Sequence, residues 1–300
     1  MTCYHPLDAW LRISGKTSKT ILAFHPAHGG RKTGLPCGKC IGCRLDHSAQ
    51  WATRLCNEAQ MHEASSFITL TFNDENLPHD YSLDGRTLQL FFKALRNKIY
   101  PQKVRFYAAG EYGEKLHRPH YHALIYGYSF PDRRFHQEVR GNIYYTSAEL
   151  ENIWQKGFCV VGDITAESAA YTARYVTKKI NGDPWHNHYT RMHPHTGELH
   201  PIKEEFAHMS RKPGIGNSFY KKYFADIFPD DFIVINGKKR KVPNYYMALL
   251  SKDNPKLYEL IKNKRYLAML ENQENNTPER LATRETCQIR RADKLLRSLE

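Results

Sequence analysis

The sequence predicts an α+β fold. A central, mainly antiparallel sheet carries helices packed on it, with a cysteine-rich N-terminal segment before it and a helical C-terminal tail after it. Three observations predict this. Segments rich in β-branched and aromatic residues alternate with segments of helical apolar spacing. Two strand-like segments, 103–112 (KVRFYAAGEY) and 119–130 (PHYHALIYGYSF), are separated only by the turn-like GEKLHR, which makes them a hairpin. The stretch 254–300 is polar, charged and helical in composition.

The elements follow in order. Residues 1–43 read as irregular, broken by Gly, Pro and His as in PAHGGRKTGLPCGKC. From Arg44 to about Glu63, Leu45, Ala49, Ala52, Leu55, Cys56 and Ala59 recur at three- and four-residue steps, a helix. SSFITLTFN (65–73) is a strand, 87–100 a second helix, and the hairpin 103–130 follows. A third helix starts near Thr146–Ser147, with Ser147 as cap, and stops near Gly157. FCVVGDI (158–164) is a short strand. TAESAAYTARYVTKKI (165–180) is a helix ended by Asn181-Gly182. Residues 183–215 read as a long loop, 217–228 as a helix, and FIVINGKKRKV (232–242) as a hairpin turning at Asn236-Gly237. Three parts are expected: a cysteine-rich segment and helix over 1–64, a core over 65–230, and a basic hairpin with a partly disordered helical tail over 231–300.

Composition narrows the function. The chain has 300 residues, a formal net charge of +13, 41% hydrophobic and 12% aromatic residues, which fits a folded protein with a polyanionic partner. No apolar run approaches the roughly 20 residues that span a bilayer. MTCYHPLDAW lacks a signal-peptide pattern, so a cytoplasmic location and no membrane partner are expected. Of the seven cysteines, Cys37, Cys40 and Cys43 form C-x-x-C-x-x-C. That spacing suits a structural Zn²⁺ better than a disulfide framework, with Cys3 as the fourth ligand and His47 or His28 as alternatives.

His120 and His122 lie two apart on a strand, so their imidazoles share a face while Tyr121 and Ala123 point into the core. Glu111, at the end of the preceding strand, comes beside them across the hairpin. Two histidines and a carboxylate leave open positions on a divalent ion, here Mg²⁺ or Mn²⁺. Glu114 and His117 fall in the turn. On the helix 165–180, Tyr171 and Tyr175 share one face and Lys178 joins it. A phenol titrates near 10, so it attacks a phosphate only with cationic help, which Lys178 and the metal would give. The basic runs Lys238–Lys241 and Lys221-Lys222 are solvated and able to meet phosphates. The Gly-Ile-Gly at 214–216 reads as a plain loop.

These motifs together resemble the HUH-type replication initiators of rolling-circle replicons. FITLTF (67–72) matches the family's apolar first motif, HYH (120–122) the second, and YVTK (175–178) the tyrosine motif. M-x-C near the start, PCGKCIGCR, GEYGEKLHRPHYHA, RYVTKK and RKPGIG resemble the gokushovirus-like initiators of Microviridae phages. The resemblance covers most of residues 1–220. It implies an HUH endonuclease core over 65–230 that nicks single-stranded or unwound phage origin DNA. It implies a 5′-phosphotyrosine link, a free 3′-hydroxyl and later religation, with Tyr171 and Tyr175 able to alternate and Tyr175 ranked first. No Walker pattern is present, so a host helicase and the host replication machinery are the expected partners in a bacterial cytoplasm. Two other readings remain: a zinc-containing single-strand-binding protein without chemistry, and a plasmid relaxase or transposase of the same chemistry.

Overall fold

The computed structural model describes residues 3–14, 20–25, 30–113, 116–139, 141–175, 189–192 and 197–293. It divides into two compact units, one of residues 1–47 with 259–296 and one of residues 48–258 with 297–300.

The larger unit is built on a seven-stranded sheet. Its strands are β4 (Ser65–Thr71), β5 (Arg105–Tyr112), β6 (Pro119–Tyr126), β7 (Arg134–Val139), β8 (Asn142–Thr146), β9 (Cys159–Gly162) and β12 (Phe206–Met209), in the order β12-β5-β6-β4-β9-β8-β7. Every pairing is antiparallel. The predicted hairpin is β5–β6, and 65–73 pairs with both β6 and β9. Period-2 alternation then divides the core between two faces. Ile68, Leu70, Tyr121, Ala123 and Val161 pack on one side against α2 (Gly85–Lys98) and α3 (Ala148–Trp154). Phe67, Tyr107, Leu124 and Tyr144 pack on the other, with Leu55 of α1 (Ile41–Ala59) and Ala169, Tyr171 and Ala173 of α4 (Ala166–Tyr175). Asp84 caps α2 by accepting from the Arg86 and Thr87 amides, and Ser147 caps α3 by accepting from Leu150, as its position predicts.

Four segments depart from the sequence reading. Within residues 1–43 lie three strands, β1 (Leu7–Ile13), β2 (Thr20–Ala23) and β3 (Arg31–Leu35), in a sheet of order β2-β1-β3. The alternation Leu7, Ala9, Leu11, Ile13 carries that signal beneath the Gly and Pro punctuation. Residues 183–215 are not one loop. Among those described, β10 (Thr190–Met192) pairs with β11 (Leu199–Pro201), and β12 joins the main sheet beside β5. These strands have three or four residues each, too few for a period to show. The hairpin β7–β8, whose first strand is exposed and whose second is buried only at Tyr144, has no apolar stripe to announce it. The helix expected over 217–228 is two short ones, Asn217–Lys222 and Phe224–Ile227. The hairpin β13 (Phe232–Ile235) with β14 (Lys238–Lys241) turns at Asn236 and Gly237, both at positive φ (49° and 71°), as expected of Asn-Gly. Helices Asn244–Asp253, Pro255–Glu271 and Pro278–Asp293 follow. No helix among the described residues is long and apolar enough to cross a membrane.

A buried carboxylate ties the RKPGIG loop to the sheet. Glu58 on α1 accepts from Arg105 Nε (2.5 Å), His62 Nε2 (3.2 Å) and the Gly216 amide (2.6 Å). Burial opposes its ionisation, but these donors outweigh it and hold the carboxyl below its usual range. The Gly216 amide is therefore committed to Glu58, and the Gly-Ile-Gly is a structural loop.

Candidate functional site

The register of β5 and β6 sets Glu111 opposite His120 and Ala109 opposite His122. Because β4 and β6 are also paired, Thr69 lies opposite His122 and Thr71 opposite His120. Side chains at alternate positions project to one face, so Glu111, His120, His122 and Thr69 converge there. Tyr121 leaves on the other face, and its hydroxyl donates to the Asp84 carbonyl at 2.9 Å. That bond fixes β6 to the start of α2. The turn is held by Arg118, which donates to Asp74 and to the Phe72 carbonyl, and His117 sits in it at φ 50°. Glu114 lies outside the described residues.

Both histidine Nε2 atoms point at one oxygen of Glu111, His120 at 2.8 Å and His122 at 3.0 Å. Glu111 is fully buried, and the His120 and His122 side chains are 13% and 4% exposed. Burial alone raises a carboxyl, but the two histidines hold this one at about 2. The outer ring nitrogens are also held. His120 Nδ1–H donates to the Arg118 carbonyl at 3.2 Å, and His122 Nδ1 lies 2.9 Å from Thr69 Oγ1. A carboxylate and a carbonyl both only accept, so without a metal Nε2–H of His120 faces Glu111, and with a cation in its place the Arg118 carbonyl would keep the ring proton on Nδ1 and free the Nε2 lone pair for the ion. The three ligand atoms lie within 4.8 Å of one another. Such a set of two imidazoles and one carboxylate could hold a divalent cation and leave positions open. Thr69 is the residue that motif spacing did not single out. Its signal was its place on the strand FITLTF, in step with the histidine face.

A pH prediction follows from this cluster. Glu111 falls from an ordinary 4.5 to about 2 on folding, so its ionised form favours the metal-free fold above pH 4.5. That contribution is lost as pH falls toward 2. Melting curves of wild type and Glu111→Gln without metal should differ most near neutrality and converge only as pH falls to about 2. A difference independent of pH would contradict the assignment.

The tyrosine helix meets the cluster edge-on. Tyr171 of α4 stands at 5.1 Å and 83° to the His122 ring, and Phe67 stacks on His122 from another side at 5.7 Å and 11°. Tyr171 is 5% exposed. Tyr175 is the last residue of α4, one turn further along, and Lys178 lies outside the described residues.

In the smaller unit, Cys3, Cys37, Cys40 and Cys43 come together with their sulfurs within 4.8 Å of one another. Cys37–Cys43 and Cys3–Cys40 are each 4.0 Å apart. Four sulfurs around one zinc at about 2.3 Å would be about 3.8 Å apart, so the donor set suits that ion. The backbone is arranged for thiolates. Amides of Cys37, Cys40 and Tyr4 donate to the sulfurs of Cys3, Cys37 and Cys40. Burial raises the Cys40 thiol, yet the Tyr4 amide and its neighbours outweigh this and bring it down to about 6. The cluster takes Cys3 and not His47, and His28 lies outside the described residues. Lys221, Lys222 and Lys238–Lys241 are exposed.

A family model for replication-associated proteins of the ORF2 type matches residues 65–180. The chain is 31% identical to replication-associated protein VP4 of Bdellovibrio phage phiMH2K over 85% of its own length and 79% of that protein's. It is 33% identical to replication-associated protein ORF2 of Spiroplasma virus 4, over 71% of this chain and 66% of that one. It is 28% identical to replication-associated protein ORF4 of Chlamydia phage 1, over 73% and 54%. No solved structure matches the chain.

Proposed function

Because this chain belongs to the replication-associated protein family of Microviridae phages, we propose that it is the HUH endonuclease and strand transferase that opens and closes the phage replication origin. The observation that carries the reading is the convergence of His120, His122 and Glu111 beside the tyrosine helix. Glu111, His120 and His122 would hold Mg²⁺ or Mn²⁺, which when bound polarises the scissile phosphate. The attacking group is Tyr175 or Tyr171. Its phenolic oxygen forms the bond to phosphorus and the 3′-oxygen of the neighbouring nucleotide leaves, giving a 5′-phosphotyrosine and a free 3′-hydroxyl. Attack of a 3′-hydroxyl on that link reverses the step and closes the strand. The bond energy stays in the covalent link, so ligation needs no nucleotide. Lys178 neutralises the phenolate or orients the phosphate. Thr69 and the Arg118 carbonyl orient the histidines.

The Cys3–Cys37–Cys40–Cys43 cluster binds a structural Zn²⁺ and takes no part in cleavage. The basic hairpin and Lys221-Lys222 add salt-dependent affinity for DNA. A host helicase supplies unwinding in the bacterial cytoplasm.

The test is a denaturing gel. Labelled single-stranded oligonucleotides tiled over the phage genome, incubated with protein and Mg²⁺ or Mn²⁺, should give a denaturation-resistant adduct from one tile. A chelator should abolish it. No adduct from any tile would overturn the proposal.

A further inference from the structure

We propose that a cavity beside the histidine cluster receives one nucleobase of the DNA strand and reads sequence next to the cleavage point; this rests on the single-stranded DNA reading above. The cavity arises from the sheet register. Tyr144 of β8, Gly162 of β9 and Phe67 of β4 lie side by side in one row across three strands. Gly162 has no side chain, so a gap opens between two aromatic rings. The resulting cavity has a volume of about 130 Å³, with Asn142, Thr165 and Ser168 also on its wall.

Its size and chemistry suit a base. A cavity of about 150 Å³ binds a benzene ring, so this one, at about 130 Å³ and open to solvent, is of the size of a single six-membered ring. Two aromatic walls offer stacking, which holds bases of any sequence. The polar wall offers edges to read. Thr165 Oγ1 accepts from the Ser168 amide at 3.1 Å, which leaves its own proton to donate, and Asn142 presents an amide that both donates and accepts. Asp163 also lines the cavity, its charge met by Arg133 at 2.8 Å, so the two aromatic walls stand among placed polar groups.

Its place suits the reaction. Phe67 forms one wall of the cavity and also stacks on His122. Gly162 lies two strands across and one row along from His122, about 12 Å by ordinary sheet spacings. A stacked strand advances about 3.4 Å per nucleotide and an extended one roughly twice that, so the base held here sits about two to four nucleotides from the scissile phosphate.

The test uses the full chain and fluorescently labelled single-stranded oligonucleotides tiled over the phage genome. The tightest-binding tile is remade with one abasic site at each position in turn. Wild type should lose affinity at least about tenfold at a single position near the cleaved bond, the range expected for one stacked base. A Cβ on Gly162 would sit 3.4 Å from Phe67 and 3.8 Å from Tyr144, so Gly162→Val fills the gap between them. That variant should bind the natural tile about as weakly as wild type binds the abasic one, and should be indifferent to the abasic site. Asn142→Ala, at the half-buried start of β8, should keep the abasic penalty but bind cytosine and thymine at that position alike. A flat abasic profile in wild type would overturn the proposal, as would a full abasic penalty in Gly162→Val. An adduct with a flat profile sinks the base pocket alone. A position-specific penalty without any adduct sinks the nuclease reading alone.

Discussion

His122→Ala is expected to lower metal-dependent nicking by at least about a thousandfold while leaving single-strand affinity within about threefold. The ring is 4% exposed and sits between Thr69, Glu111, Phe67 and Tyr171, so no other side chain can take its place. Single-turnover nicking reads the first effect and anisotropy the second. A metal titration should show weaker Mn²⁺ binding for His122→Ala and Glu111→Ala alike. Thr69→Val should fall between, at about 10- to 100-fold, because it removes an orienting partner and not a ligand. Nicking by His122→Ala at the wild-type rate would show that the cluster is a buried ion pair and nothing more.

Cys37→Ser is expected to cost the bound zinc and the fold of the smaller unit. Structural zinc contributes about 10–16 kcal/mol of apparent binding energy in small domains, most of which is folding energy. The sheet β1–β3 and the four cysteines share that unit, with helix Pro278–Asp293, where His5 pairs with Glu285 at 2.7 Å. Metal analysis should find about one zinc per wild-type chain and none per variant. Hydrogen exchange should show residues 3–47 unprotected in the variant and the main sheet still protected. Unchanged zinc would remove the cluster from the account.

The sheet was legible in the sequence where burial is regular and opaque where it is not. Strands β4, β5, β6 and β9 pack one or both faces, so their β-branched and aromatic runs stand out. β7 is exposed, β8 is buried only at Tyr144, and β12 is four residues long, so none of them imposes a pattern. β12 exists because β5 has an open edge for Phe206–Met209 to pair with. The site followed the same logic. His120, His122 and Glu111 were found because a hairpin register and a period of two determine which residues meet. Cys37, Cys40 and Cys43 stood out by spacing, and Cys3 by the need of a tetrahedral site for a fourth ligand. Gly162 could not be found, because a missing side chain matters only once Phe67 and Tyr144 are known to flank it. Glu58 was likewise hidden, since its partners Arg105 and Gly216 are far off in the chain.

The central claim is that a tyrosine of α4 carries the DNA. Mass spectrometry of the protease-digested covalent adduct tests it most directly. The digest should contain a nucleotide-modified peptide that includes Tyr171 and Tyr175, with the phosphate on one of them. Tyr171→Phe and Tyr175→Phe should move the modification to the other tyrosine or remove it, and the double variant should give none. A nucleotide on any other residue, or an adduct retained in the double variant, would contradict it.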